Sequence, residues 1–142
     1  MSVTAETLDL DLPATLEGLH EGILAIERHC IAADLPRATL ARTLTVFEEI
    51  FTNTVKYGYR GAADGRIRMI LAGTDPLRLT LEDSAPPFDP TLWDASADLA
   101  TGLADRPIGR TGIALVMGLT RSARWQPLAP GNRLTVELAV SG

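Results

Sequence analysis

From Leu8 the chain alternates apolar and acidic positions, with Leu8, Leu10 and Leu12 set against Asp9 and Asp11. This period of two predicts a short strand with one buried face, ended by Pro13. From about Ala14 the period lengthens. Leu16, Leu19, Ile23, Ile26 and Cys30 recur at spacings of three and four, predicting a helix to about Ala33. Gly18 and Gly22 lower helix propensity within it and point to close backbone packing against a neighbour. His20 and His29 fall off the stripe and read as surface residues, whereas Cys30 on the stripe reads as a small core residue. After a link at Asp34 and Leu35, a second helix opens near Pro36, whose fixed φ suits a first helical turn. Leu40, Leu44, Phe47, Phe51 and Val55 form its apolar stripe. The short link makes the two helices antiparallel neighbours.

The period of two then returns. Ile67, Met69 and Leu71 predict one strand, Gly73-Thr74-Asp75-Pro76 a turn, and Leu77, Leu79 and Leu81 an antiparallel partner. Asp83 stands where this second strand leaves the sheet. Between Ser84 and Pro107 periodicity lapses and four prolines occur; a ligand-covering loop and a disordered surface insertion both fit such a stretch. Phe88, Leu92, Trp93 and Leu99 argue that part of it packs. A helix is expected from Ile113 to about Thr120, then a brief strand at Arg124 to Gln126 ended by Pro127. A turn at Pro130-Gly131-Asn132 precedes a final strand carrying Leu134, Val136, Leu138 and Val140. Five strands and three helices make an α+β two-layer sandwich, its mixed, mainly antiparallel sheet covered on one face by the helices.

Composition narrows the setting. At 142 residues, 46% hydrophobic and 22% charged, the chain has the size and balance of one globular domain, taken here as residues 1–142. A net charge of -5 gives no general attraction to nucleic acid or an anionic membrane. The single cysteine excludes an intramolecular disulfide and a thiolate cluster, and two histidines argue against a transition-metal site. With neither a leader pattern nor a long apolar run, a cytoplasmic protein is expected.

The candidate chemistry lies on the second helix. Glu49 and Asn53, four apart, share one side of it, bordered by Lys56. Exposed Glu and Asn are common, but Asn53 is a poor helix former in mid-helix, where Lys or Glu would be better tolerated. Gly109-Arg110-Thr111-Gly112 precedes a helix start, where unpaired N–H groups suit phosphate oxygens and where an ordinary tight turn has the same sequence. Arg110 and Arg121 would add positive charge. Neither a P-loop nor a Rossmann glycine fingerprint occurs.

Three boxes in one order resemble the anti-sigma factor serine/threonine kinases, part of the superfamily of ATP-binding domains that includes histidine kinases, gyrase-type ATPases and Hsp90. Glu49-Ile50-Phe51-Thr52-Asn53-Thr54-Val55-Lys56-Tyr57-Gly58-Tyr59 is similar to the N box, and Leu81-Glu82-Asp83-Ser84-Ala85-Pro86-Pro87-Phe88-Asp89-Pro90 to the adenine-contacting Asp box. Pro107-Ile108-Gly109-Arg110-Thr111-Gly112-Ile113-Ala114-Leu115-Val116 is similar to the glycine box, trailed by Gly131-Asn132-Arg133-Leu134. The resemblance covers nearly the whole chain and implies a Bergerat-type ATP-binding fold with ATP and Mg²⁺ as cofactors.

By this resemblance Glu49 is the general base toward a substrate serine, and Asn53 ligates Mg²⁺ without adding negative charge. Asp83 accepts a hydrogen bond from the adenine amino group. Gly109, Arg110, Thr111 and Gly112 surround the phosphates, and residues 85–108 form a lid. The implied partners are a sigma factor or an anti-sigma antagonist protein, with a homodimer among the expected assemblies. The alternative is a nucleotide-binding or protein-binding regulatory module without turnover. Ala85 and Arg110 stand where the family usually has glycine, and Tyr57 where it often has histidine. A backbone path altered by Ala85 would tighten the adenine pocket.

Overall fold

The computed structural model describes residues 7–62, 64–87 and 118–138. In chain order these hold β1 (Leu8–Pro13), α1 (Leu16–Ala32), α2 (Arg37–Asn53), β2 (Arg66–Ala72), β3 (Leu77–Asp83), β4 (Ser122–Leu128) and β5 (Gly131–Leu138). The strands form one sheet in the order β1-β2-β3-β5-β4. Every adjacent pair is antiparallel, so the sheet expected to be mixed is antiparallel throughout the described strands. Helical structure at Gly118 and Leu119 is the described remnant of the expected third helix; residues 113–117, the glycine box and the end of the last strand at Ala139 and Val140 lie outside the described residues.

The inward face of the sheet is the alternation read along the chain: Leu12, Ile67, Met69, Leu71, Leu77, Leu79, Leu81, Leu134, Val136 and Leu138 are all buried. Against them lie Ile26 and Cys30 of α1 and Val46, Phe47, Ile50 and Phe51 of α2, forming one core. The Phe47 and Phe51 rings meet at 5.3 Å and 48°, a tilted geometry favoured by the ring quadrupoles.

The helices are rotated slightly from the stripes expected of them. α1 buries Gly18, Gly22, Ile26, His29 and Cys30, while Leu16 is 64% exposed and Leu19 and Ile23 are half-buried. The reason is backbone approach. A Cβ at Gly18 would lie 1.8 Å from the Pro13 carbonyl oxygen, and one at Gly22 would lie 2.2 Å from Cζ of Phe47. The glycine face therefore makes the closest contact and the larger residues straddle it. His29 lies on that face and is buried, with its Nε2 lacking a hydrogen-bond partner among the described residues; this corrects its reading as a surface residue. On α2 the buried set is Thr39, Thr43, Val46, Phe47, Ile50 and Phe51, with Leu40, Leu44 and Val55 packed at the margin. Thr43 donates its hydroxyl proton to the Thr39 carbonyl at 2.7 Å, which makes a buried threonine tolerable.

Local signals set the ends. Thr15 caps α1 by accepting the Gly18 N–H. Asp34, at φ 54°, reverses the chain while the Asp34 and Leu35 N–H groups return to Ile31 and Cys30. At the far edge β4 runs through Pro127, longer than the expected strand, because an edge strand tolerates a residue without an N–H.

The opposite face of the sheet is charged. Asp9, Arg68, Glu82 and Arg133 form a continuous chain of ion pairs across β1, β2, β3 and β5, and Arg133 reaches Gln126 on β4. Arg66 pairs with Asp11 alongside it. Mostly exposed pairs of this kind add little stability individually, but they fix strand register by charge.

The glycine contacts generate a test. Gly→Ala normally favours a helix by about 1 kcal/mol. Here Gly18→Ala and Gly22→Ala are expected to destabilise the chain by about 1–3 kcal/mol, because the added methyl meets a backbone carbonyl or a fully buried ring. Urea denaturation of both variants checks this; a gain in stability would show that α1 does not pack on its glycine face.

Candidate functional site

α2 ends at Asn53 and continues as a π-helical turn, Thr54–Gly58. Such widened turns are frequent at functional sites because they rotate the following side chains relative to the helix. The threonines here satisfy their hydroxyls within the helix, Thr52 donating to the Glu48 carbonyl at 2.6 Å and Thr54 to that of Ile50 at 2.9 Å. Glu49 and Asn53 are half-buried, one turn apart, and Lys56 is exposed. A carboxylate offers lone pairs to a proton, and a carboxamide oxygen suits a hard cation, so the donor set fits Mg²⁺ chemistry.

Beyond the π turn comes Tyr59. Its hydroxyl donates to the Arg66 carbonyl at 2.6 Å and accepts the Ser84 N–H at 2.8 Å. The ring lies against Gly65, where a Cβ would come within 2.7 Å of ring atoms. One side chain therefore ties the end of the α2 segment to the start of β2 and to the residue after Asp83. Gly58 adds a second contact, since a Cβ there would lie 3.0 Å from that of Ala85.

Asp83 is the last residue of β3. Its Oδ1 accepts the Ala85 N–H at 2.9 Å and an N–H of the Asn132 amide at 2.9 Å. The same amide nitrogen faces the carbonyls of Ala85 at 3.4 Å and Pro86 at 3.2 Å, while Asn132 Oδ1 accepts the Trp125 indole N–H at 2.9 Å. Gly131, at φ +116°, lies so close that a Cβ would be 1.8 Å from the Asp83 carbonyl oxygen. Burial pushes the Asp83 carboxyl above its ordinary range, opposed by the donors on Asn132 and Ala85. Asp83 Oδ2 takes no hydrogen bond among the described residues, which leaves one acceptor for a donor from outside.

Ala85 is buried on ordinary backbone: among the described non-glycine residues, positive φ occurs at Asp34 and Arg60. Alanine in place of glycine therefore demands no altered path, and Gly58 supplies the space its methyl occupies. The structure thus brings the helix of Glu49 and Asn53 against the segment leaving Asp83. Gly109, Arg110, Thr111, Gly112 and the expected lid beyond Pro87 lie outside the described residues. A separate apolar groove of 160 Å³ lies between the start of α1 and the end of α2, lined by Thr15, Leu16, Leu19, Phe51, Thr52, Val55 and Lys56; none of Glu49, Asn53 or Asp83 lines it.

Tyr59, Asn132 and Trp125 were not singled out as site residues from the sequence. The usable signals were a polar Asn beside a turn glycine at a strand start, and a tyrosine closing the N box.

The half-buried Asp83 carboxyl has a pH signature. Because its folded-state value is raised, its contribution is fully present below the unfolded carboxylate value near 3.8 and is lost as pH rises through the folded value. Asp83→Asn removes this term, so its stability relative to wild type should increase from pH 4 toward neutrality. Urea midpoints across that range check this, and a pH-independent difference would contradict it.

The chain matches the histidine kinase-like ATPase domain over residues 12–138. Among solved structures it is similar to the RsbU and RsbW domains of Rv1364c from Mycobacterium tuberculosis, with a TM-score of 0.64 and 18% identity over 95% of this chain and 32% of that one. It is also similar to the histidine kinase domain of the blue-light activated histidine kinase from Erythrobacter litoralis EL346, with a TM-score of 0.53 and 18% identity over 91% of this chain and 62% of that one. The chain thus spans under two thirds of either structure's length. No curated protein matches it. At these identities the structures speak for the fold, and the family match extends from β1 to the last described residue of β5: the chain belongs to the histidine kinase-like ATPase domain family.

Proposed function

We propose that this domain binds ATP with Mg²⁺ and transfers the γ-phosphoryl group to a serine or threonine of an anti-sigma antagonist protein, acting as an anti-sigma regulatory factor. The observation that carries the reading is the junction made by Tyr59, which joins the helix of Glu49 and Asn53 to the strand end of Asp83. Metal-side and base-side groups are thereby held on one framework.

In this reading Asp83 accepts the adenine amino group through Oδ2 and Asn53 ligates Mg²⁺ through its side-chain oxygen. Bound Mg²⁺ supplies charge neutralisation at the phosphates. Glu49 receives the proton of the substrate hydroxyl. Backbone N–H groups of Gly109 and Gly112, with Arg110 and Thr111, hold phosphate oxygens. The likeness to a chain that carries RsbU and RsbW domains supports a regulatory setting; a sigma factor or an anti-sigma antagonist protein is the proposed partner, with a homodimer among the proposed assemblies. Among the described residues no helix is long and apolar enough to cross a membrane, and the cytoplasm is the proposed location.

Two measurements test this. In calorimetry the chain should bind ATP more tightly with Mg²⁺ than without it, and more tightly than GTP; Asn53→Ala should lose the Mg²⁺ enhancement alone. With labelled ATP and a purified antagonist protein, Glu49→Ala should lower transfer by about 100-fold or more while ATP affinity is retained, the range expected for a lost general base. Equal transfer by Glu49→Ala would remove its catalytic role, and ATP binding without transfer by the native chain would favour a regulatory module without turnover.

A further inference from the structure

We propose that Trp125 and Asn132 are positioning residues that set purine selectivity at Asp83: the indole N–H fixes which way the Asn132 amide faces, and the amide then fixes which carboxylate oxygen remains for the base. The inference rests on the reading that Asp83 meets the purine six-position.

A carboxamide has a donor end and an acceptor end, and an indole N–H only donates. Trp125 Nε1 lies 2.9 Å from Asn132 Oδ1, so the acceptor end is engaged on the β4 side. The NH₂ end consequently faces three acceptors: Asp83 Oδ1 at 2.9 Å, the Pro86 carbonyl at 3.2 Å and the Ala85 carbonyl at 3.4 Å. A flipped amide would set its oxygen against all three and its NH₂ against the indole N–H. Trp125, engaging Asn132 Oδ1, and the three acceptors facing the NH₂ end together favour the observed orientation over the flipped one.

The consequence reaches the base through Asp83. With the Asn132 and Ala85 donors both on Oδ1, the oxygen left over is Oδ2. An ionised Oδ2 accepts from an exocyclic amino group at the purine six-position and repels a carbonyl there, lone pair against lone pair. Burial acts against this by favouring the protonated acid, which donates to a carbonyl and so accepts the wrong base. The Asn132 donor, 2.9 Å from Oδ1, opposes that effect and favours the discriminating, ionised form. Trp125 is half-buried on the edge strand, contributes no group to the base itself and acts through Asn132.

The test compares ATP with inosine triphosphate, which carries a carbonyl at the same position, by calorimetry on the full chain. Trp125→Phe keeps the aromatic packing and removes the N–H; it should lower the ATP-over-inosine-triphosphate affinity ratio by about fivefold, the worth of one hydrogen bond. Asn132→Asp, of the same shape but with an acceptor in place of the donor, should lower the ratio at least as far. Equal losses of affinity for both nucleotides, or an unchanged ratio in both variants, would mean that the two residues only support the strands and would overturn the inference. If the wild-type chain binds ATP selectively and the variants keep its ratio, only the positioning role falls. A wild-type chain that binds neither nucleotide removes the role of Asp83 itself, and the inference with it.

Discussion

The phenolic hydroxyl of Tyr59 is the point through which the two layers are registered at their working end. It donates to the start of β2 and accepts from the residue beyond β3, while its ring lies flat on Gly65. Hydrophobic packing alone positions a helix on a sheet only to within the tolerance of its side chains. A hydroxyl that must satisfy a carbonyl and an N–H at once has much less freedom. The cost of holding a carboxylate in a partly dry place is then met by neighbours that cannot move far: Asn132 at its side chain and Gly131 against its carbonyl.

The strands were legible because their apolar alternation is regular and one face is buried: from Ile67 to Leu71 and from Leu77 to Leu81 every expected inward residue is buried, joined by Thr80 on the other face. The helices were legible in extent and less so in facing. A stripe count weights leucine and isoleucine, but α1 turns Gly18 and Gly22 toward β1 and α2, and His29 follows them inside. Periodicity measures apolarity, whereas the closest packing here is decided by the absence of side chains. Cys30 was read correctly because it lies on both the stripe and the glycine face.

For the candidate site, Glu49, Asn53 and Asp83 could be proposed from the sequence because helical spacing and a strand end are local facts. Tyr59, Asn132 and Trp125 were hidden because their roles depend on contacts across the fold: Tyr59 acts on a residue 25 positions away, and Asn132 on one 49 positions away. A tyrosine or asparagine beside a glycine turn has an ordinary local explanation, and only the sheet order supplies the other one. Ala85 shows the converse. As a letter in place of glycine it suggested a strained path, and the backbone it occupies carries no such strain.

The sheet order also dictates when the site comes into being during synthesis. β3 pairs with β5, which lies beyond both the long intervening segment and β4, so Asp83 meets Asn132 only after the C-terminal hairpin has been made. A growing chain on the ribosome completes α1, α2, β2 and β3 first, with the edge of β3 that takes β5 still unpaired. Closing this distant pairing carries the loop entropy of the whole intervening segment and is slow for that reason. The hydrogen-bonded arrangement around Asp83 therefore belongs to the finished domain alone, and a truncated or half-made chain carries Asp83 without the partners that orient it.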